Sequence, residues 1–221
     1  MWELFSVNNI AFTVLGYPMS YIEFIGTILY LWSAWLVAQK QILTWPVGIV
    51  SVLLYMALFY QIRLYSDTLE QVYYLGTSVY GWWWWSKSNH QIDKAISFRY
   101  SSRRNTILFL AITLAISFAT GAFMSRIDVI LPAFFPEKAS FPYLDALTTI
   151  MSFTATLLMI QKRVESWYYW IVVDVIGIGL YYVKEVRFIA MLYVILLAIA
   201  IKGLISWHQT TQTAPVINEI K

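Results

Sequence analysis

Asp174 lies near the middle of a long apolar run, Trp167 to Val183. A carboxyl at mid-membrane depth costs several kcal/mol unless it faces a polar cavity or a partner, so it marks a substrate or ion pathway. The competing account makes it glue between helices, hydrogen-bonded to a neighbour. On a helix, Trp167, Trp170, Asp174, Gly177 and Tyr181 follow steps of three and four and share one face. That face joins two indoles, a carboxylate, a small gap and a phenol. Rings stack on such a surface, a cation is drawn to indole faces, and the carboxylate balances charge or accepts a hydroxyl proton. A flat ligand that is cationic or rich in hydrogen-bonding groups suits it.

A second face carries Gln71, Tyr74, Ser78 and Trp82 at the same steps. Gln71 can donate to and accept from an amide or a sugar hydroxyl; a helix-end Gln in the headgroup zone explains it equally well. Trp82 to Trp85 point around the whole helix and cannot all line one pocket, so an interfacial aromatic belt accounts for at least two of them. Trp45-Pro46 with Gly48 reads as a closely packed helix start, with a secondary ligand role for Trp45. Tyr55, Ser78 and Tyr193 complete the expected lining.

No Lys or Arg lies deep in any apolar segment, so nothing is placed to hold a phosphate in mid-membrane, and nucleotides are poor candidates. His90 and His208 are isolated near segment ends and read as solvated rather than metal-ligating. The chain shows no zincin, phosphate-loop or nucleophile-elbow pattern, so no catalytic residue, metal or cofactor is expected.

The elements that position these residues follow from composition. With 60% hydrophobic residues, 12% charged and mean hydropathy +0.63, the chain needs lipid to cover its apolar surface. Net charge is +3 with pI about 9.0, but the basic residues sit in connections rather than on one amphipathic face, which argues against a nucleic-acid partner. There is no cysteine, hence no disulfide or thiolate chemistry. The start, Met1-Trp2-Glu3, lacks the positive charge of a signal peptide.

Seven stretches approach the length of about 20 residues that a spanning helix needs: Ile22–Ala38, Ile42–Ile62, Leu69–Ser86, Asn105–Met124, Leu144–Ile160, Ser166–Val183 and Phe188–Ile205. Trp2 to Tyr17 contains Asn8 and Asn9 and is expected as an interfacial helix or a short extra span. Lys40, Lys87, Lys94, Arg99, Arg103, Arg104, Lys162, Arg163, Lys202 and Lys221 fall on one side of seven spans. Arg63, Arg126, Lys138, Lys184 and Arg187 fall on the other. The excess predicts the first side, and the carboxyl terminus with it, to be cytoplasmic.

Slid by 122 positions, the chain matches itself. Between Ile22–Ser86 and Leu144–His208 fourteen of sixty-five positions are identical, including Gln39-Lys40 on Gln161-Lys162, Trp45 on Trp167, Gly81 on Gly203 and Trp85 on Trp207. Each repeat holds three spans, so a fourth, isolated span must separate them if both are to point the same way. The expected fold is all-α and integral to the membrane, seven core helices in a three-plus-one-plus-three plan of parallel repeats, with a substrate site at the repeat interface near the midplane. The divisions are 1–19, an amino-terminal segment; 20–88, the first repeat; 89–140, a basic loop, connecting helix and external loop; 141–209, the second repeat; and 210–221, a tail. Asp174 falls on Val52, so the repeats differ where an asymmetric ligand requires it.

Trp45-Pro46-Val47-Gly48-Ile49-Val50, Tyr65-Ser66-Asp67 to Gln71-Val72-Tyr73-Tyr74, Tyr80-Gly81-Trp82-Trp83, Glu165-Ser166-Trp167 with Trp170 and Asp174, and Leu180-Tyr181-Tyr182 together resemble the PnuC-type vitamin transporters. The match runs from about Tyr21 to Trp207. The resemblance implies a fold similar to the SWEET sugar transporters, a homotrimer in the bacterial inner membrane, and uptake of nicotinamide riboside by facilitated diffusion. A cytoplasmic riboside kinase would prevent return of the cargo. Relatives carry thiamine or other vitamins, so thiamine is the alternative cargo. A proton-coupled symporter using Asp174 is an alternative of another class; a single titratable group argues against it. A structural protein would leave ligand handling indifferent to Asp174→Asn.

Overall fold

The computed structural model describes residues 5–14, 16–90, 98–132, 135 and 138–213, without the side chains of residues 66, 88–90 and 213. Lys94, Lys221, the Met1-Trp2-Glu3 start and the His90 side chain lie outside the described residues. Seven long helices dominate: α1 (Tyr21–Ala38), α2 (Thr44–Gln61), α3 (Tyr65–His90), α4 (Arg103–Met124), α6 (Pro142–Ile160), α7 (Ser166–Val183) and α8 (Arg187–Thr213). A single turn, α5 (Ile127–Ile130), follows α4 in a stretch expected to be loop. Six of the long helices are apolar enough to cross a bilayer. The seventh, α3, carries Asp67 and Glu70 in its first turns and a run of Trp and Tyr that scores near neutral, which lowers its mean hydropathy.

The expected amino-terminal helix is not formed. The described residues there make an antiparallel hairpin, β1 (Ile10–Val14) on β2 (Tyr17–Ser20), with Val14 opposite Tyr17. β-branched and aromatic residues favour extended backbone, Gly16 turns the chain at φ +82°, and Pro18 has no N–H for a helical bond. Gln61 at the end of α2 holds this segment, accepting from Val7 N at 3.0 Å and donating to Phe5 O at 2.8 Å. On the other side Tyr17 stacks on Phe188 at the start of α8. Ser20 ends the hairpin and caps α1, its Oγ accepting from Glu23 N.

The internal repeat recurs in the backbone. Among the described residues four non-glycines adopt the left-handed region: Lys40 (φ 62°), Arg63 (62°), Lys162 (56°) and Glu185 (61°). They fall into two pairs, and 162 − 40 and 185 − 63 both equal 122. Each sits just past a helix in the same double hydrogen bond. Lys40 N donates to Val37 O and Gln41 N to Leu36 O; Lys162 N donates to Met159 O and Arg163 N to Leu158 O. Arg63 and Leu64 repeat this with Tyr60 and Phe59, as do Glu185 and Val186 with Tyr182 and Tyr181. This closure satisfies carbonyls left over at a helix end, and it holds L-residues in a conformation that costs about 1–2 kcal/mol.

Packing follows the same symmetry. In one half α2 packs on both α1 and α3; in the other α7 packs on both α6 and α8. The halves meet where α1 touches α8 and α3 touches α6, the first helix of each against the last of the other, while α4 lies against α6. A buried cluster closes one end of this junction. It contains Trp45, Trp85, Trp167 and Trp207 with the ends of α1 and α6. Trp45 meets Trp85 edge-on at 5.4 Å, and Trp167 meets Trp207 edge-on at 5.3 Å. Gly81 and Gly203 let those indoles in: an added Cβ would stand 2.6 Å from the Trp45 ring and 2.4 Å from the Trp167 ring. Across the junction Trp85 Nε1 donates to Ile160 O at 3.0 Å and Trp207 Nε1 to Val37 O at 3.1 Å.

Candidate substrate site

Asp174 sits in the middle of α7, 3% exposed, and no described residue donates a hydrogen bond to it. Tyr30 of α1 and Tyr193 of α8 both feel its charge, and Tyr74 of α3 interacts with each of these two. All three phenols are half-buried. A phenol both donates and accepts, so the ring of hydroxyls can meet a hydroxyl-rich ligand while the carboxylate meets a cation.

Small residues and cross-links fix these phenols. Gly177, one turn beyond Asp174, leaves room for the Tyr193 ring; a Cβ there would stand 2.6 Å from it. Tyr181 stacks on the same ring at 5.5 Å. Tyr55 of α2 hydrogen-bonds Thr27 of α1 at 2.6 Å and lies edge-on to Tyr30 at 6.5 Å. Tyr74 packs edge-on to Phe153 of α6, whose carbonyl accepts from Tyr73 Oη at 2.9 Å. Glu70 accepts from Thr149 Oγ1 at 3.1 Å, a second tie between α3 and α6.

The sequence-derived candidates divide by level. Asp174, Tyr74, Tyr55 and Tyr193 belong to the central set. Gln71 and Ser78 are half-buried on α3, one turn to either side of Tyr74. Trp170 is half-buried and packs against both buried clusters. Trp167 and Trp45 lie in the indole cluster instead; Trp167 is about 10 Å along the helix from Asp174, and the Nε1 atoms of both are buried without an acceptor. Tyr30 and Ser152 were not among the candidates, although Tyr30 lies close enough to Asp174 to feel its charge and Ser152 is buried in α6. They are repeat mates, since 152 − 30 is 122, and lining up polar residues inside the first helix of each repeat would have found both.

Groups outside the spans are also perturbed. Burial lowers the Lys162 pKa, and its ammonium stands 5.0 Å over the Trp85 ring. Burial, and after it the hydrogen bond to Glu23 at 2.7 Å, pushes the Tyr17 phenol well above its usual range. Among the described residues no cluster of three potential metal ligands occurs.

A bundle of apolar helices with a buried carboxylate in the middle of one of them is the architecture of a membrane transporter. Comparison with known proteins agrees. Residues 20–209 match the family model described as nicotinamide mononucleotide transporter, and the chain belongs to that family. It is 29% identical to the nicotinamide riboside transporter PnuC of Escherichia coli K12, over 93% of this chain and 94% of the relative. It is 24% identical to the riboflavin/roseoflavin transporter RibM of Streptomyces davaonensis, with 91% of each covered. The crystal structure of the vitamin B3 transporter PnuC superposes with a TM-score of 0.64 at 20% identity, covering 87% of this chain and 82% of that one.

Proposed function

We propose that the chain takes up nicotinamide riboside by facilitated diffusion, binding it between the two halves at Asp174. The observation that carries this reading is a buried carboxylate with phenols from α1 and α8 close enough to feel its charge, while Lys202, the basic residue well inside α8, is engaged over the Trp35 ring. Nicotinamide riboside is a flat cation joined to a hydroxyl-rich sugar. The carboxylate and aromatic rings suit the pyridinium, and the phenols with Gln71 and Ser78 suit the ribose. A mononucleotide would bring a phosphate to a site without a cation, which disfavours the phosphorylated form despite the family's description.

In this reading α3 spans the membrane with the other six, giving three plus one plus three as in the SWEET transporters. Trp170 and Trp167 bound the site towards the indole cluster and Trp45 supports it from the first half. The end carrying Lys40, Lys87, Arg99, Lys162 and Arg163 is cytoplasmic, in a bacterial inner membrane. The halves rock to expose the site to one side at a time, three copies assemble with one pathway each, and a cytoplasmic kinase traps the cargo. The test is calorimetric titration of nicotinamide riboside into purified protein and its Asp174→Asn variant, with thiamine and riboflavin as controls. Riboside binding that weakens in the variant supports the reading; thiamine or riboflavin binding without riboside binding overturns it.

A further inference from the structure

Away from Asp174, a cavity of about 270 Å³ opens at the basic end of the bundle, on the seam between the halves. Tyr80 and Trp84 of α3 line it, with Leu157 and Ile160 of α6 and with Gln161, Arg163 and Arg99 from the adjoining connections. Its volume is close to the lower bound of about 300 Å³ for small-molecule pockets.

Two features give it a chemistry. The first is a like-charge pair. The backbones of Arg99 and Arg163 are bridged, with Arg99 N donating to Lys162 O and Val164 N to Arg99 O at 3.2 Å each. This bridge brings both guanidinium groups to one opening. Arg163 spends one N–H on Tyr100 O at 3.3 Å, and its pKa is lowered by burial and next by the Arg99 charge. Glu165 offsets part of this charge; its Oε1 accepts from Ser101 N and Thr106 Oγ1, and its Oε2 is buried without forming an ion pair to either guanidinium. Among the described residues no carboxylate forms an ion pair with either guanidinium. The second feature is an aromatic wall, where Tyr80 and Trp84 stack at an interplanar angle of 27° with centroids 6.1 Å apart. Gln161 adds an amide that both donates and accepts.

Paired guanidinium groups match the oxygens of a phosphate ester, and a nearby aromatic face takes a flat ring. We propose that Arg99, Arg163, Tyr80, Trp84 and Gln161 form a second, regulatory site for a soluble mononucleotide, whose occupancy ties α3 to α6 and slows transport. It rests on the functional reading in one respect: the basic end faces the compartment where a phosphotransfer reaction converts the riboside cargo to its 5′-phosphate. The cargo site rejects phosphate for want of a cation; the seam cavity supplies two. A rising product concentration would therefore hold the halves together and restrain further uptake.

The test uses full-length purified protein, wild type and the Arg99→Gln/Arg163→Gln double variant, titrated with nicotinamide mononucleotide, adenosine monophosphate and inorganic phosphate. Riboside binding to both proteins is measured in parallel as a control for folding. The expected result is mononucleotide binding that is about tenfold or more weaker in the double variant, with riboside binding unchanged. In proteoliposomes, enclosed mononucleotide should slow riboside entry into wild type and not into the variant. No mononucleotide binding to wild type overturns the proposal, as does equal binding by the variant. Binding confined to nanodiscs containing phosphatidylglycerol, without response to nucleotide, also overturns it, because the phosphate would then be a lipid headgroup. Nucleotide binding by a protein that neither binds nor carries the riboside leaves the site standing and removes the functional reading instead.

Discussion

Asp174 has no hydrogen-bonding partner within the described residues, and in the proposed function its charge is what meets the cargo. Asp174→Asn keeps the shape and removes the charge. Riboside affinity should fall about tenfold or more, with little change in thermal unfolding, as calorimetry and a melting curve on the same preparation will report. Gly177→Ala is a finer test. The new methyl would stand 2.6 Å from the Tyr193 ring, so the phenol must move; riboside affinity should drop while the indole cluster is untouched. Asp174 and Tyr74 could be singled out in the sequence because each falls at helical steps with other polar or aromatic residues, and because a mid-membrane carboxyl is costly; Tyr193 was named only as lining. Tyr30 and Ser152 were not named at all. A single Tyr or Ser in an apolar helix has many bland explanations, and only depth in the folded bundle separates the site from the surface.

At the scale of elements, six of the seven long helices fall within four residues of the expected segments, because apolar length and charged connections report directly on them, while α8 continues eight residues past the expected end at Ile205, to Thr213. The hairpin escaped for the opposite reason: its strands have four and five residues, too short for a period to show, and its two Asn were read as a polar helix face. The left-handed corners were also invisible, since no glycine marks them. Arg63 lies at such a corner, with φ 62°. Arg63→Gly relieves a backbone cost of about 1–2 kcal/mol while enlarging the unfolded ensemble, so a gain of up to about 1 kcal/mol is expected in reversible unfolding. Gly203→Ala should do the reverse, losing about 1–3 kcal/mol as its methyl meets the Trp167 indole.

For the molecule as a whole, the absence of cysteine makes any introduced thiol unique. A Cys placed at Lys87 should react with an impermeant maleimide only after the membrane is opened, and one at Glu185 should react from outside intact cells. The opposite pattern would invert the bundle and the compartment assigned to the seam cavity. In proteoliposomes riboside should enter until the two sides are equal, whatever the pH gradient; accumulation beyond that point would replace diffusion by coupling. Membrane class and repeat were legible at this scale because composition and self-similarity are properties of the whole chain. How the halves meet was not, since no sequence pattern records which helix faces which.

Trp85 and Trp207, which are repeat mates, each donate across the junction to the end of the other half's first helix, the acceptors Ile160 and Val37 falling one residue out of register. Rotating one half away from the other at this end lengthens both together, so neither can act as a latch that is released while its twin holds. In the proposed rocking motion, opening at this end would be a single activated event with one barrier to which both bonds contribute. Single-channel-style records or stopped-flow kinetics on this protein should accordingly resolve one opening rate, and deleting either indole should raise the same rate that deleting the other does.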